Sequence, residues 1–408
     1  MNAAISVVGI GADGWDGLPE NSRRPLRAAE VLIGAPRQLD LLPAGECPGE
    51  RIAWPSPLRP AVPGLLAAHA GRAVAVLASG DPSFYGIART LAETVGAAAL
   101  RVHPHPSSVS YACARLGWPL EDIETVSLVA RPLAALSAAL HPGRRLLVLG
   151  EGPDTPARVA ALLRDSGWGG TRVRVLEQLG GPVERLLDST AADWPYERTD
   201  ALHVLALDCV RDPGTLRLGA APGLPDEAYE HDGQLTKRYV RAATLAALAP
   251  APGELLWDIG GGSGSIGIEW MRTHRSCRAI AVEKSPERAE RITRNADTLG
   301  VPALRVVTGP APAALTGLPA PDAVFIGGGL TVPGLLDACW DALPPGGRLV
   351  ANTVTLESEA LLADRYRRHG GELVRLAVAA AVPVGGFTGW RQAMPVTQWS
   401  VTKSGERA

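Results

Sequence analysis

Residues 254–270 read "ELLWDIGGGSGSIGIEW", in which an acid, Asp258, precedes Gly260, Gly261, Gly262 and Gly264, a glycine run interrupted only by Ser263. Glycines after a strand let the chain turn tightly and let a ligand lie against bare amides at a helix N-terminus. Gly262, Gly264 and Gly267 also spell G-x-G-x-x-G, the pattern of dinucleotide sites. Asp258 separates the candidate ligands. A carboxylate at the strand end repels each dinucleotide phosphate, by about 1 kcal/mol in water and roughly 4 kcal/mol at a semi-buried effective dielectric, for a separation of about 4 Å. The ammonium and sulfonium of S-adenosylmethionine (SAM) turn the same carboxylate into an attraction. The spacing therefore favours SAM.

A second carboxylate, Glu283, stands 25 residues later at the end of the apolar run "RAIAVE". There it can accept both hydroxyls of a ribose, which SAM and NAD share, so it does not discriminate between them. The first half of the chain holds three further glycine- and serine-rich loops: "GIGADGWDG" from Gly9, "SGDPSFYGI" around Gly80 and Asp81, and "HPSSVSYACARLG" around Ser107 and Ser108.

These loops need strands to carry them. Apolar runs at residues 3–11, 73–81, 145–150, 173–180 and 201–210 alternate with alanine-rich helical stretches, one of them expected over residues 23–33. Residues 211–227 are rich in proline and glycine without periodicity, which reads as an interdomain junction. The alternation then restarts, with strands expected at 254–259, 278–284, 304–309, 322–328 and 347–354. Two more, within 373–382 and 396–403, would be joined by a short loop at 383–395. The expected architecture is α/β throughout. The expected domains are 1–212 and 227–408, with 213–226 as linker.

Composition excludes several classes of protein. The net charge is −2, and residues 1–210 carry 19 basic and 22 acidic side chains, a balance of −3. Neither half is a basic surface for nucleic acid. No apolar run approaches the roughly 18 residues of a membrane span, and no N-terminal signal pattern is present, so a cytoplasmic protein is expected. Five scattered cysteines lack metal or disulfide spacing. "HPHP", with His103 and His105, has no third ligand nearby, and no metal is expected. Nearly all positive charge is arginine, which suits forked contacts to carboxylates.

The second half resembles the class I SAM-dependent methyltransferases, in the acid-x-G-x-G-x-G loop, the Glu283 strand end and the strand order. Within them its lead-in, "GLPDEAYEHDGQLTKRYVRA", is similar to the precorrin enzymes that methylate C-15 and decarboxylate the C-12 acetate. The likeness lies in Thr236, Lys237 and Arg241, and in Gly309, Ala311, Pro312 and Leu315. It implies a doubly wound, seven-stranded fold in which Thr236, Asp258, Gly260, Gly261, Gly262, Ser263, Gly264, Glu283 and Ala311 hold SAM. Lys237, Arg238 and Arg241 are the expected contacts to substrate carboxylates. Many methyltransferases carry an acid after the third strand for the adenine amine. Pro310 stands here instead, so backbone groups would serve the adenine.

The three loops of the first half, in their order, resemble the tetrapyrrole methylases, a two-lobed class III fold, and "DGWDG" is nearest to the branch that methylates C-5. That likeness places a second SAM near Gly9, Gly80, Asp81, Phe84, Gly86, Ser107 and Ser108, with "ALHVLAL" (201–207) lining the adenine. The fusion implies a bifunctional enzyme of corrin biosynthesis with one SAM per domain and a precorrin substrate, and a homo-oligomer built on the C-terminal domain. No catalytic residue is identified by it. Three rivals stand beside this reading: a fused pair acting on another tetrapyrrole, an NAD-dependent oxidoreductase and a non-catalytic corrinoid carrier.

Overall fold

The computed structural model describes residues 4–404. Residues outside that range include Ala3, where the first expected strand begins, and the outermost ends of both expected domains. The architecture is mixed α/β with largely parallel sheets. It divides into two compact units, Met1–Arg131 with Pro142–Thr215, and Pro132–His141 with Leu216–Ala408.

The first unit holds two five-stranded sheets. One contains β1 (Ile5–Ile10), β2 (Val31–Gly34), β3 (Glu50–Ala53), β4 (Val74–Ser79) and β5 (Leu100–His103), in the order β3-β2-β4-β1-β5. All its pairings are parallel. Parallel sheets bury both faces, which explains the unbroken apolar runs in β2 and β4. The helix expected over 23–33 ends earlier: helix Glu20–Ala28 gives way to β2, whose four residues are all buried. Val31, Leu32 and Ile33 suit a doubly covered strand better than the last turn of an exposed helix.

The second sheet contains β6 (Ile123–Ser127), β7 (Arg145–Leu149), β8 (Arg172–Glu177), β9 (Arg185–Thr190) and β10 (His203–Asp208), in the order β6-β7-β10-β8-β9. β10 lies between β7 and β8 and is antiparallel to both.

The second unit is built on one sheet of seven strands. These are β11 (Leu255–Ile259), β12 (Arg278–Glu283), β13 (Arg305–Thr308), β14 (Ala323–Ile326), β15 (Arg348–Thr353), β16 (Glu372–Leu376) and β19 (Val396–Thr402). The order is β13-β12-β11-β14-β15-β19-β16. β11 is central and buried along its whole length, so its C-terminal end opens between β12 and β14.

The expected strand over 373–382 and the loop after it are corrected. Residues Ala379–Val384 (β17) leave the sheet and pair with Phe387–Gln392 (β18) as a separate hairpin. Gly385 and Gly386 make its two-residue turn, and Gly385 takes a φ of 57° that favours glycine.

Candidate active sites

In the first unit, the C-terminal ends of β1 and β4 and the loop before helix Ser108–Leu116 come together so closely that side chains are excluded. A Cβ on Gly9 would collide with the carbonyl of Gly80 and stand 2.8 Å from the His105 amide. Gly80 turns with a φ of 60°, and a Cβ there would lie 3.2 Å from the Pro106 carbonyl. Ser107 caps the helix, its hydroxyl accepting from the Ser110 amide at 3.1 Å.

Next to this junction opens a cleft. Ile10, Gly11, Ala12, Ser79, Gly80, Pro106 and Ser108 form one wall, and Leu176, Leu179, Leu202 and His203 the other, with Arg37 and Tyr111 completing it. Among the expected residues, Gly80 and Ser108 line the cleft directly, as do Leu202 and His203 from the 201–207 stretch. Gly9 precedes Ile10 on β1 and does not line the cleft. Asp81 is turned on its own loop, accepting from the Ser83 amide at 2.8 Å, and Phe84 is 38% exposed against Tyr85. Gly86 is pressed on the Pro82 carbonyl, where no larger residue fits.

Sequence reasoning missed two features here. His105, set aside as loop, is buried, with Nε2 3.2 Å from Oδ1 of Asp13. Tyr111 places its hydroxyl 3.5 Å from both partners. Burial and the nearby Asp13 charge raise the Tyr111 phenol and keep it protonated. The second feature is Arg37 on the cleft wall. Asp13 and His105 are 92 positions apart in sequence, and nothing in the local pattern of either pointed to the other.

In the second unit, β11 leads into the glycine loop, and Gly260, Gly262 and Gly264 all have positive φ, at 72°, 60° and 77°. A Cβ on Gly260 would sit 3.1 Å from the Gly328 amide, and one on Gly262 3.1 Å from the Gln234 carbonyl. Gly261 packs on Ile292. Ser263 donates to the Gln234 carbonyl at 2.7 Å, and Gly264 starts helix Ser265–Thr273. Asn295, which no sequence signal marked, clamps the arrangement: its amide donates to the carbonyls of Ser263 and Glu230, both at 2.9 Å.

Glu283 is 4% exposed and accepts from the amides of Gly262 at 2.9 Å and Ser285 at 3.0 Å. Each carboxylate oxygen retains a second lone pair for a hydroxyl. Asp258 is 1% exposed, and its Oδ2 accepts from the Gly267 amide at 2.9 Å. Burial pushes its carboxyl up to about 7, with the Glu283 charge adding to the shift and the amide opposing it. A cation brought to this strand end would draw Asp258 back to its ionised form. Gly309 donates to the Glu283 carbonyl, and Ala311 follows on that loop, half-buried.

The basic residues before the loop divide. Lys237 and Arg238 are exposed at the start of helix Arg238–Leu248. Lys237 stands 3.7 Å from Asp226, and Arg238 donates to the Gly223 carbonyl. The half-buried Thr236 precedes them. Arg241 corrects the expectation of a substrate contact. It is fully buried, paired with Glu269 at 2.6 Å and Asp226 at 3.3 Å, and bonded to the carbonyls of Thr236 and Leu224. Glu269 also accepts from Tyr229 and from the amides of Gly223 and Leu224. This network ties the lead-in to the helix after the glycine loop and leaves no guanidinium donor facing outward.

Residues 4–195 match the family of tetrapyrrole (corrin/porphyrin) methylases, and residues 227–403 match the precorrin methyltransferase domain. The two matches follow one another along the chain without overlap. It is 51% identical to a precorrin-6Y C(5,15)-methyltransferase [decarboxylating] of Sinorhizobium over 98% of this chain and 96% of that protein. Its identity to the protein of that name from Mycobacterium tuberculosis is 48%, over 98% of this chain and all of the other. The solved C-terminal domain of precorrin-6Y C5,15-methyltransferase from Rhodobacter capsulatus is 52% identical, covering 46% of this chain and all of that domain, with a TM-score of 0.44. The chain belongs to the family of decarboxylating precorrin-6Y C(5,15)-methyltransferases.

Proposed function

We propose that residues 1–212, as a two-lobed class III methylase, methylate C-5 of reduced precorrin-6. Residues 227–408, as a doubly wound class I methyltransferase, methylate C-15 and remove the carboxyl of the C-12 acetate, giving precorrin-8. Residues 213–226 join the two. The carrying observation is the near-full-length match, which spans both units, together with a glycine-walled strand-end site in each. Both sites suit SAM. The first offers an apolar cleft at Gly80 and Ser108. The second offers a cradle that a Cβ would fill at Gly260 and Gly262, beside Glu283 for the ribose and Asp258 for positive charge.

SAM supplies a methyl group as an electrophile. A reduced tetrapyrrole carbon beside a nitrogen is an enamine-like nucleophile, so the chain's main task is orientation. The walls of each site would hold that carbon against the methyl donor, and positioning of this kind supplies much of the acceleration. In the decarboxylation, the bond from the acetate methylene to its carboxyl breaks, CO₂ leaves and the electron pair enters the conjugated ring. A proton then joins the methylene carbon. Lys237 and Arg238, exposed at the start of helix Arg238–Leu248, serve in this reading as contacts to substrate carboxylates.

The enzyme acts in the cytoplasm and, in this reading, assembles through its C-terminal domain. The β17–β18 hairpin supports assembly, since Phe387 and Trp390 are 84% and 79% exposed. In this reading another protomer covers these rings. Among the described residues no helix is long and apolar enough to cross a membrane.

Turnover of the full chain with SAM and reduced precorrin-6, followed by mass spectrometry, tests the assignment. The expected product gains two methyls and loses one CO₂. With Asp258→Asn, the C-15 methyl and CO₂ loss are impaired and the C-5 methyl is retained. An unmodified tetrapyrrole refutes the substrate, and loss of both methyls together refutes the division of labour.

A further inference from the structure

The first unit's cleft contains one charged side chain whose charge is not matched. Arg37 lies on the short helix Pro36–Asp40 and lines the cleft together with Ser79 and Gly80. Among the described residues it forms no ion pair. Its one hydrogen bond runs from Nη2 to the Ser79 hydroxyl, at 3.2 Å. The Ser79 oxygen is also approached by Gln38 Nε2 at 3.0 Å, while Gln38 Oε1 accepts from the Ala35 amide at 2.8 Å. Ser79 therefore serves as acceptor for two donors, and the helix start, Gln38 and Ser79 together hold the guanidinium at the wall.

Several other arginines of this unit are paired with carboxylates, as Arg27 is with Glu20 and Glu46, and Arg115 with Glu184. Arg37 feels the charge of Asp200, but that carboxylate is committed to Gln178 Nε2 and the Leu202 amide. Burial works against the Arg37 charge and lowers its pKa, as it does for a cation withdrawn from water without a counter-ion. A guanidinium has five donors in a planar fork, and here one is used. A fork of this kind fits the two oxygens of a carboxylate.

We propose that Arg37 is the carboxylate anchor of the first unit's cleft, binding a carboxylate of the ligand held there. The inference rests on the function proposed above for the class of ligand, an acid-bearing tetrapyrrole or the amino-acid end of the nucleoside. It assigns a residue that neither the glycine motifs nor the family likeness marked. Both ligands carry the same chemical group, and their binding can be measured separately.

The test uses the full chain with Arg37→Met and Arg37→Lys. Affinities for S-adenosylhomocysteine and for 5′-methylthioadenosine, which lacks the carboxylate, are taken by calorimetry. Affinity for reduced precorrin-6 is taken by absorbance titration, and the second unit's site serves as an internal reference. A hydrogen bond to a charged group corresponds to roughly a 10- to 100-fold loss when removed. Arg37→Met is expected to weaken the first site's hold on one carboxylate ligand by that factor, with Arg37→Lys recovering part of it. Weaker tetrapyrrole binding with unchanged S-adenosylhomocysteine assigns the anchor to the substrate. Weaker S-adenosylhomocysteine with unchanged 5′-methylthioadenosine assigns it to the nucleoside. Changes below about twofold for every ligand, or equal losses for the two nucleosides, overturn the proposal. Binding is read without turnover, so a wild-type chain that adds no methyl counts against the function and not against Arg37.

Discussion

In the function proposed above, SAM binding in the second unit depends on the proton held by Asp258. In the free protein its carboxyl titrates at about 7, against an ordinary value of 3.8, because it is buried between β11 and the helix that follows. Between those two values the folded chain holds a proton that the unfolded chain has released. Stability contributed by this group is therefore greatest at low pH and declines as pH rises to about 7, by up to about 4 kcal/mol. A bound sulfonium and ammonium reverse the preference and return Asp258 to its ionised form. At pH 6 that change releases roughly 0.9 proton for each SAM bound, falling to about 0.1 at pH 8. Calorimetry in two buffers of different ionisation enthalpy counts those protons directly. Asp258→Asn keeps an acceptor for the Gly267 amide and removes the charge. The expected variant is more stable than wild type to urea at pH 8, binds SAM more weakly in the second unit and releases no proton there. Equal proton release and equal affinity in the two proteins would refute the role given to Asp258.

Three further outcomes are expected. Arg241→Met leaves Glu269 buried without its main partner and should cost about 3–5 kcal/mol in urea unfolding, while the tetrapyrrole affinity of the folded fraction is unchanged. A selective loss of substrate affinity without loss of stability would return Arg241 to the substrate site. Gly9→Ala forces a methyl onto the Gly80 carbonyl, a backbone atom with no room to yield. It should destabilise the first unit by about 1–3 kcal/mol and abolish one of the two SAM sites seen by calorimetry, and two intact sites would contradict the geometry. Phe387→Ser combined with Trp390→Ser should convert an oligomer to a monomer in light scattering; a monomeric wild-type chain would remove the role given to the hairpin.

Some of the function was legible because it is local. A strand, a turn that needs positive φ and a helix start are contiguous in sequence, so Gly260, Gly262 and Gly264 announced their loop, and Gly80 did so in the first unit. Glu283 was legible for the same reason, as the acid that ends an apolar run. Parallel strands such as β4 and β11 were found because burial on both faces leaves an unbroken apolar stretch. β2 was absorbed into the helix before it because three apolar residues beside an alanine-rich stretch fit either period.

The fate of individual charges was not local. Arg241 reads in the sequence as one of a basic trio facing a substrate, yet the fold encloses it with Glu269, 28 positions away. No sequence feature marked Arg37, yet the fold sets it in the cleft against Ser79, 42 positions away, without a counter-ion among the described residues. Asp258 was legible as a carboxylate beside a cofactor loop, but only its burial raises its pKa. Sequence determines which groups can carry charge and where the backbone can turn. Whether a charge is neutralised, exposed or left waiting for a ligand depends on which distant segments pack around it, and only the tertiary structure decides that.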